Sequence, residues 1–223
     1  MRDVFHEQLD HVLVDLAEIS ERVERSIRLA TQALLNGDAT VAEQVISDDE
    51  EIDRARERVE DNAFSLLSLQ QPVAGDLRTL VAALRMVGEL ERMGDHSVHV
   101  AKIARRRVPG VAVPDDMRPT IERMAEVAES MTHRLTRIIT ERDAEDAIAL
   151  AAEDEEMDRL HRSTFTAMLG GDWTHGVEAA VDISLMGRYY ERIADHAVSV
   201  AARIVYVVTG AVPEQLEQVA TQR

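Results

Sequence analysis

The sequence contains no cysteine, only seven aromatic residues and an excess of acidic over basic side chains. Without cysteine, disulfides, thiolate metal ligands and cysteine nucleophiles are excluded. With 25 Lys and Arg against 42 Asp and Glu, the net charge is −17. Nucleic acid is therefore not expected as a main partner, because phosphate backbones are bound by clustered basic side chains. The hydrophobic fraction of 45% excludes global disorder and suffices for a substantial core.

Long hydrophobic runs are also absent. The most apolar run near the C-terminus spans residues 204–208, far short of the roughly 20 residues that cross a bilayer as a helix. The opening residues, MRDVFHE, are too charged for the apolar region of a secretory signal. We therefore expect a soluble protein without a transmembrane segment, and nothing in the sequence indicates export.

Helix-breaking residues are rare, with 10 glycines and 5 prolines concentrated at a few turns. Between those turns, apolar residues recur every three or four positions, which indicates amphipathic helices, and no segment alternates with the period of a strand. The sequence predicts an all-α protein whose long antiparallel helices are joined by short turns. The predicted helices span residues 3–36, 38–69, 73–107, 115–141, 143–169 and 173–209.

The chain contains an internal repeat. Residues 91–101, ERMGDHSVHVA, return as ERIADHAVSVA at 191–201, and DEEIDR at 49–54 returns as DEEMDR at 154–159. We therefore predict two three-helix units, at 1–108 and 114–209, followed by a C-terminal tail at 210–223. Two three-helix bundles side by side are the preferred arrangement, and a single six-helix bundle is the alternative.

Each unit carries two pairs of carboxylates spaced four residues apart. This spacing places both side chains of a pair on one helix face, where like charges repel unless a cation lies between them. In the first unit, the pair centres at residues 51 and 93 are equally far from Pro72 in the predicted turn, so the pairs should face each other. In the second unit, the midpoint of residues 156 and 193 is 174.5, which falls within or just after the turn segment at 170–176, so these pairs should also face each other. The predicted metal ligands are Asp49, Asp53, Glu91 and Asp95 in the first unit, and Asp154, Asp158, Glu191 and Asp195 in the second.

Oxygen ligands without a nearby thiol favour hard cations, namely Mg²⁺, Ca²⁺, Mn²⁺ or iron ahead of zinc. His96 and His196 follow the last acid of each site and are candidates for further ligands or for partners of the ligands. Small residues at 88, 94, 187 and 194 suggest close approach of the backbone to a metal cluster or to a neighbouring helix.

A purely structural interpretation competes with the metal site. Acidic pairs four residues apart are commonly a solvated helix face, and only their fourfold repetition favours a site. Arg92 and Arg192 are expected to pair with nearby acids. Four further histidines are expected to be surface or hydrogen-bonded structural residues: His99, His133, His161 and His175.

Four segments together resemble the PhoU family of phosphate-transport regulators. They are RDVFHEQL at 2–9, QQPVAGDLR at 70–78, LERMGDH at 90–96 and YERIADH at 190–196, and the resemblance extends to about residue 209. It implies two similar three-helix bundles, each binding a multinuclear cluster of divalent or trivalent metal ions, with iron, zinc, manganese and magnesium as candidates. The eight carboxylates above match the family's ligand positions. Family members often have an asparagine three residues after the histidine, where this chain has His99 and Ser199.

The resemblance also implies a role and partners. It implies a homodimeric cytoplasmic adaptor that reaches the inner face of the membrane through its partners. Those partners would be the ATP-binding subunit of the phosphate ABC transporter and a sensor histidine kinase. The adaptor would repress the phosphate-starvation response when phosphate is plentiful.

The sequence offers no nucleophile-base arrangement, phosphate-binding glycine loop or nucleotide motif, so we predict a non-enzymatic regulator. The alternatives are a carboxylate-bridged metalloenzyme or iron-binding helical bundle, and a metal-free helical spacer. Carboxylate-bridged bundles use Glu-x-x-His motifs whose side chains project into the core, and no such motif occurs in this sequence.

Overall fold

The computed structural model describes residues 2–211, with side chains from residue 4, and this range contains six α-helices and no strand. Every helix boundary lies within three residues of its predicted position. The second helix of each unit is preceded by a capping aspartate. The side chain of Asp38 accepts hydrogen bonds from the backbone N–H groups of Thr40 and Val41 at the start of the second helix, and Asp143 caps the fifth helix in the same way. Such caps satisfy N–H groups that have no partner within the helix. The helices are α1 (Arg2–Asn36), α2 (Ala39–Gln70), α3 (Ala74–Arg107), α4 (Arg118–Glu141), α5 (Ala144–Leu169) and α6 (Gly176–Thr209).

The helices form the two predicted three-helix units. Helices α1, α2 and α3 contact one another, as do α4, α5 and α6. The units meet through α1 against α4 and α3 against α6, so these four helices form a central ring with α2 and α5 on its flanks. The buried side chains of both units belong to one connected hydrophobic cluster. The bundles therefore lie side by side but share a core.

The contact between units is antiparallel. Near the start of α3, Arg78 donates to the carbonyl of Val207 near the end of α6. At the other end of α3, Arg107 donates to the carboxylate of Asp182 near the start of α6. Helices α3 and α6 are thus related by an approximate two-fold axis near their midpoints. The acidic segments at 91–95 and 191–195 consequently lie at the same height on either side of the α3/α6 contact.

No helix within residues 2–211 is both long enough and apolar enough to cross a membrane. Helix α6 is capped by Gly210, whose φ of 75° is the left-handed conformation that glycine adopts without strain. From residue 212 onward, the predicted C-terminal tail lies outside the described residues.

Candidate metal centres

The first acidic site lies between α2 and α3. A Cβ atom built on Gly94 would be 3.1 Å from Ile52 Cδ1 and 3.5 Å from Asp49 Oδ1, so α2 packs directly against α3 at this level. The carboxylate of Asp49 therefore lies against the turn of α3 that separates Glu91 from Asp95. This contact confirms that the two pairs face each other, and it explains a glycine in the middle of a helix.

The electrostatics of the first site are those of crowded carboxylates. Partial burial, followed by repulsion from Asp95, Asp53 and Glu91, raises the pKa of Asp49 from 3.8 to about 6. The pKa of Glu91 is also raised, first by burial and then by Asp95. Each of these groups would ionise more readily if a cation replaced the missing solvation.

The second acidic site, between α5 and α6, repeats this arrangement. Burial and then repulsion from Asp195, Asp158 and Glu191 raise the pKa of Asp154 from 3.8 to about 6. Asp154 Oδ1 is buried without a hydrogen-bond partner. A buried carboxylate oxygen without a donor is costly, and a bound cation would satisfy it.

Arginines distinguish the two sites. In the second site, Arg188 Nη1 donates to Glu191 at 2.6 Å and Arg192 Nη1 donates to Asp195 Oδ2 at 3.1 Å. At the first site, Arg92 makes no ion pair among residues 4–211, although its charge opposes the rise in the pKa of Glu91. The expectation that both arginines pair with acids is therefore confirmed for Arg192 and wrong for Arg92.

The carboxylates are close enough to perturb one another, but they are not assembled as a ligand set. Among the described residues, no three His, Asp or Glu side chains are placed to hold one metal ion. Metal binding at the second site would require Glu191 to exchange Arg188 for the cation. Assignment of the eight carboxylates as ligands therefore stays a prediction, supported by a chemically suitable donor set.

The two histidines that follow the sites lie in the contact between α3 and α6. The rings of His96 and His196 stack with centroids 5.5 Å apart, and His96 also stacks on Tyr189 at 5.8 Å. His196 Nδ1 lies 2.6 Å from Glu89 Oε2. Burial, followed by the neighbouring His196, lowers the pKa of His96 to about 4. Both histidines thus join the two units between the acidic sites.

The other predictions about individual residues have mixed outcomes. Gly187 allows close approach, since a Cβ there would lie 3.0 Å from His161 Cδ2, but Gly88 has no atom within 4 Å of the same construction. Close approach therefore does not explain Gly88. His99, His133 and His175 have hydrogen-bond partners as expected. His161 departs from the expectation because its Nε2 is buried without a partner.

Sequence reasoning missed the polar residues that join the two units. Asp182 is 3% exposed and binds Arg107 of α3. Tyr190 is buried and shares a 2.8 Å hydrogen bond with Thr31 of α1. For Asp182 a usable signal was present in the sequence, because a charged residue within the apolar repeat of α6 indicates a buried ion pair. No such signal exists for Glu89, because it is only half-buried and lies outside the buried apolar repeat of α3.

The fold and the sites define a duplicated helical protein with one acidic site on the outer hairpin of each unit. The model of the PhoU domain family matches residues 16–104 and 121–204, one match in each unit. The chain belongs to the PhoU family.

Curated relatives and solved structures agree with this assignment. The chain is 46% identical over 213 residues to the phosphate-specific transport system accessory protein PhoU homolog 2 of Mycobacterium tuberculosis, with 96% of this chain and 100% of the relative covered. PhoU homolog 1 of Mycobacterium leprae is 44% identical, with 96% of each chain covered. The crystal structure of PhoU from Pseudomonas aeruginosa superposes with a TM-score of 0.84 at 26% identity, covering 93% of this chain and 100% of that one.

Proposed function

We propose that this protein is a non-enzymatic regulator of phosphate uptake and of the phosphate-starvation response. The observation that carries the proposal is the 46% identity over 96% of the chain to a protein named as an accessory protein of the phosphate-specific transport system. Similarity at this level spans both units and both acidic sites, so it concerns the whole molecule.

The proposed role is that of a cytoplasmic, homodimeric adaptor. Its partners are the ATP-binding subunit of the phosphate ABC transporter and a sensor histidine kinase, and through them it lies at the inner face of the membrane. Long helices with a field of negative charge are suited to docking basic surfaces, because complementary potentials speed encounter and select partners. This assignment of partners follows from the family resemblance.

The proposed metal sites fit the residues present. Asp49, Asp53, Glu91 and Asp95 would hold one group of cations, and Asp154, Asp158, Glu191 and Asp195 the other. Bound cations would neutralise the carboxylates and order the outer hairpins. The raised pKa values of Asp49 and Asp154 and the unpartnered Asp154 Oδ1 support this fit.

Elemental analysis tests metal binding. We expect the wild-type protein, purified without added metal, to retain divalent or trivalent ions, and Asp95→Ala and Asp195→Ala each to lose roughly half of them with helical content unchanged. A chelator should lower the melting temperature of the wild type, since a ligand specific for the folded state stabilises it by mass action. Metal-free wild-type protein, or variants that retain full metal content, would contradict the assignment.

The metalloenzyme alternative is disfavoured by the position of the acids. Asp53, Asp95 and Asp158 are exposed on the outer hairpins, whereas the ligands of carboxylate-bridged bundles project into the core. The alternative would regain support if dioxygen reduction or iron oxidation were measured and disappeared in Glu91→Ala.

A deletion strain tests the regulatory role. We expect phosphate-responsive genes to be expressed at high phosphate when the gene is deleted, and repression to return on complementation. Unchanged expression in the deletion strain would refute the proposed function.

A further inference from the structure

We propose that the outer edge of the α2/α3 hairpin is the docking surface for a basic amphipathic helix of a partner protein. This α2/α3 edge consists of Glu57, Asp61 and Phe64 on α2 and Leu77 and Val81 on α3. The proposal rests on the adaptor role proposed above and gives that role a site on the molecule. It uses none of the eight candidate metal ligands.

The apolar side chains of the edge are exposed and lie at neighbouring levels along the hairpin. Phe64 is 59% exposed, Leu77 41% and Val81 37%. Because Ile52 lies against Gly94, moving 12 residues along α2 and 13 residues back along α3 brings Phe64 level with Val81. Leu77 lies one turn from Val81 on the same face of α3. Exposed apolar patches of this kind on otherwise charged surfaces are typical of interaction sites.

The acidic part of the edge follows along α2. Glu57 and Asp61 are exposed, and Glu57 precedes Phe64 by seven residues, about 10 Å along the helix. Of the cations nearby on α2, Arg54 pairs with Glu50, Arg56 is held by Glu60 at 2.9 Å and approaches Glu57 to 4.0 Å, and Arg58 is exposed. Within the described residues, Asp61 makes no ion pair. The edge thus combines an apolar end with exposed carboxylates about one turn (Asp61) and two turns (Glu57) away.

Charge selects the occupant. Two copies of this edge would bring like charges together on a chain of net charge −17, and an anionic lipid surface would be repelled for the same reason. A partner helix with two or three apolar side chains at one end and Lys or Arg two turns further along complements both parts.

The second unit provides a matched control surface. The α5/α6 hairpin also exposes apolar side chains at the aligned positions, namely Leu169, Val177 and Val181. Aligned through the repeated acidic motif, however, it has Arg162 where α2 has Glu57, and Thr166 where α2 has Asp61. A basic helix should therefore distinguish the two hairpins, although their backbones are alike.

The test uses a defined probe. An 18-residue fluorescent peptide is designed as an amphipathic helix with leucines on one face of its first half and lysines on the same face of its second half. We expect it to bind wild-type protein in an anisotropy titration, and to bind at least about tenfold more weakly to Phe64→Ser and to the double variant Glu57→Arg, Asp61→Arg. The matched control, Leu169→Ser, should bind like the wild type. All substituted side chains are exposed, and circular dichroism verifies that each variant is folded.

Equal binding to wild type and Phe64→Ser, or equal binding of a peptide with glutamate in place of lysine, would overturn the proposal. Complementation of the deletion strain separates failure of the docking proposal from failure of the proposed function. We expect Phe64→Ser to leave the deletion strain derepressed at high phosphate. If Phe64→Ser restores full repression, the docking surface is refuted, while the derepression caused by the deletion itself still supports the regulatory role.

Discussion

Neutralising Asp49 in metal-free protein should stabilise the fold, which is the reverse of what loss of a structural residue does. In the first acidic site, burial and three neighbouring carboxylates raise the pKa of Asp49 from 3.8 to about 6. A raised pKa in the folded state means that the folded protein holds the proton more tightly than the unfolded chain. Stability associated with this proton is complete below pH 3.8 and is lost as the pH rises to about 6.

The magnitude follows from the shift. About two pKa units correspond to roughly 3 kcal/mol at 1.36 kcal/mol per unit. Because Asp49 is only partly buried and solvent screens its neighbours, we reduce this to about 1–2 kcal/mol. Asp49→Asn removes the charge with little change of shape. At pH 8 it should raise the free energy of unfolding by that amount, or the melting temperature by roughly 2–8 °C for a chain of this size.

Denaturant unfolding followed by circular dichroism, in the presence of a chelator, measures this difference. The gain of Asp49→Asn over the wild type should be largest at pH 8 and should shrink at pH 4.5, where the wild-type carboxyl is mostly protonated when folded. The control is Asp48→Asn, which neutralises an exposed neighbour on the same helix. It should change stability by less than about 0.5 kcal/mol.

Adding metal gives a second measurement, in which Asp49→Asn should be at a disadvantage relative to the wild type. If the acids bind cations, the rise in melting temperature on adding metal should be smaller in Asp49→Asn than in the wild type. The electrostatic reasoning is refuted if Asp49→Asn destabilises the metal-free protein at pH 8, or if its effect is the same at pH 8 and pH 4.5.

Three further substitutions test the packing by urea unfolding. Gly88→Ala should stabilise by about 0.5–1 kcal/mol, because alanine favours the helix and nothing lies within 4 Å of the new methyl group. Gly94→Val should destabilise by about 1–3 kcal/mol, because even a Cβ at that position would be 3.1 Å from the buried Ile52. Asp182→Ala should destabilise by about 1–3 kcal/mol, because it removes the buried partner of Arg107.

These three substitutions serve as controls for one another. A loss of stability in Gly88→Ala would indicate a packing contact that the structure does not contain. Equal effects of Gly94→Val and Gly88→Ala would mean that α2 and α3 do not approach closely beside the first acidic site. A neutral Asp182→Ala would mean that the ion pair between the units contributes nothing to stability.

Local chemistry made the helices predictable. Apolar residues at intervals of three and four, and a few glycines and prolines, act over one or two turns, as do the caps that the structure shows at Asp38 and Asp143. The repeat in the sequence indicated two units, and a constant rise per residue indicated which acids face each other across a turn. The position of Asp49 beside Gly94 agrees with that expectation.

Contacts between the units did not follow in the same way. The pairing of His196 with Glu89, the stacking of His96 on Tyr189 and the burial of Asp182 depend on the antiparallel meeting of α3 and α6. The departure of Gly88 from the expected close approach likewise depends on the position of a neighbouring helix.

The sequence by itself determined the helices, their duplication and the height of each acid along its hairpin. Only the tertiary structure decided that the two acidic sites lie at one level on either side of a seam of histidines, and which carboxylates are held by arginine. The reason is physical. Helical periodicity depends on neighbours a few residues apart, whereas the docking of two units depends on how side chains about 100 residues apart fit together.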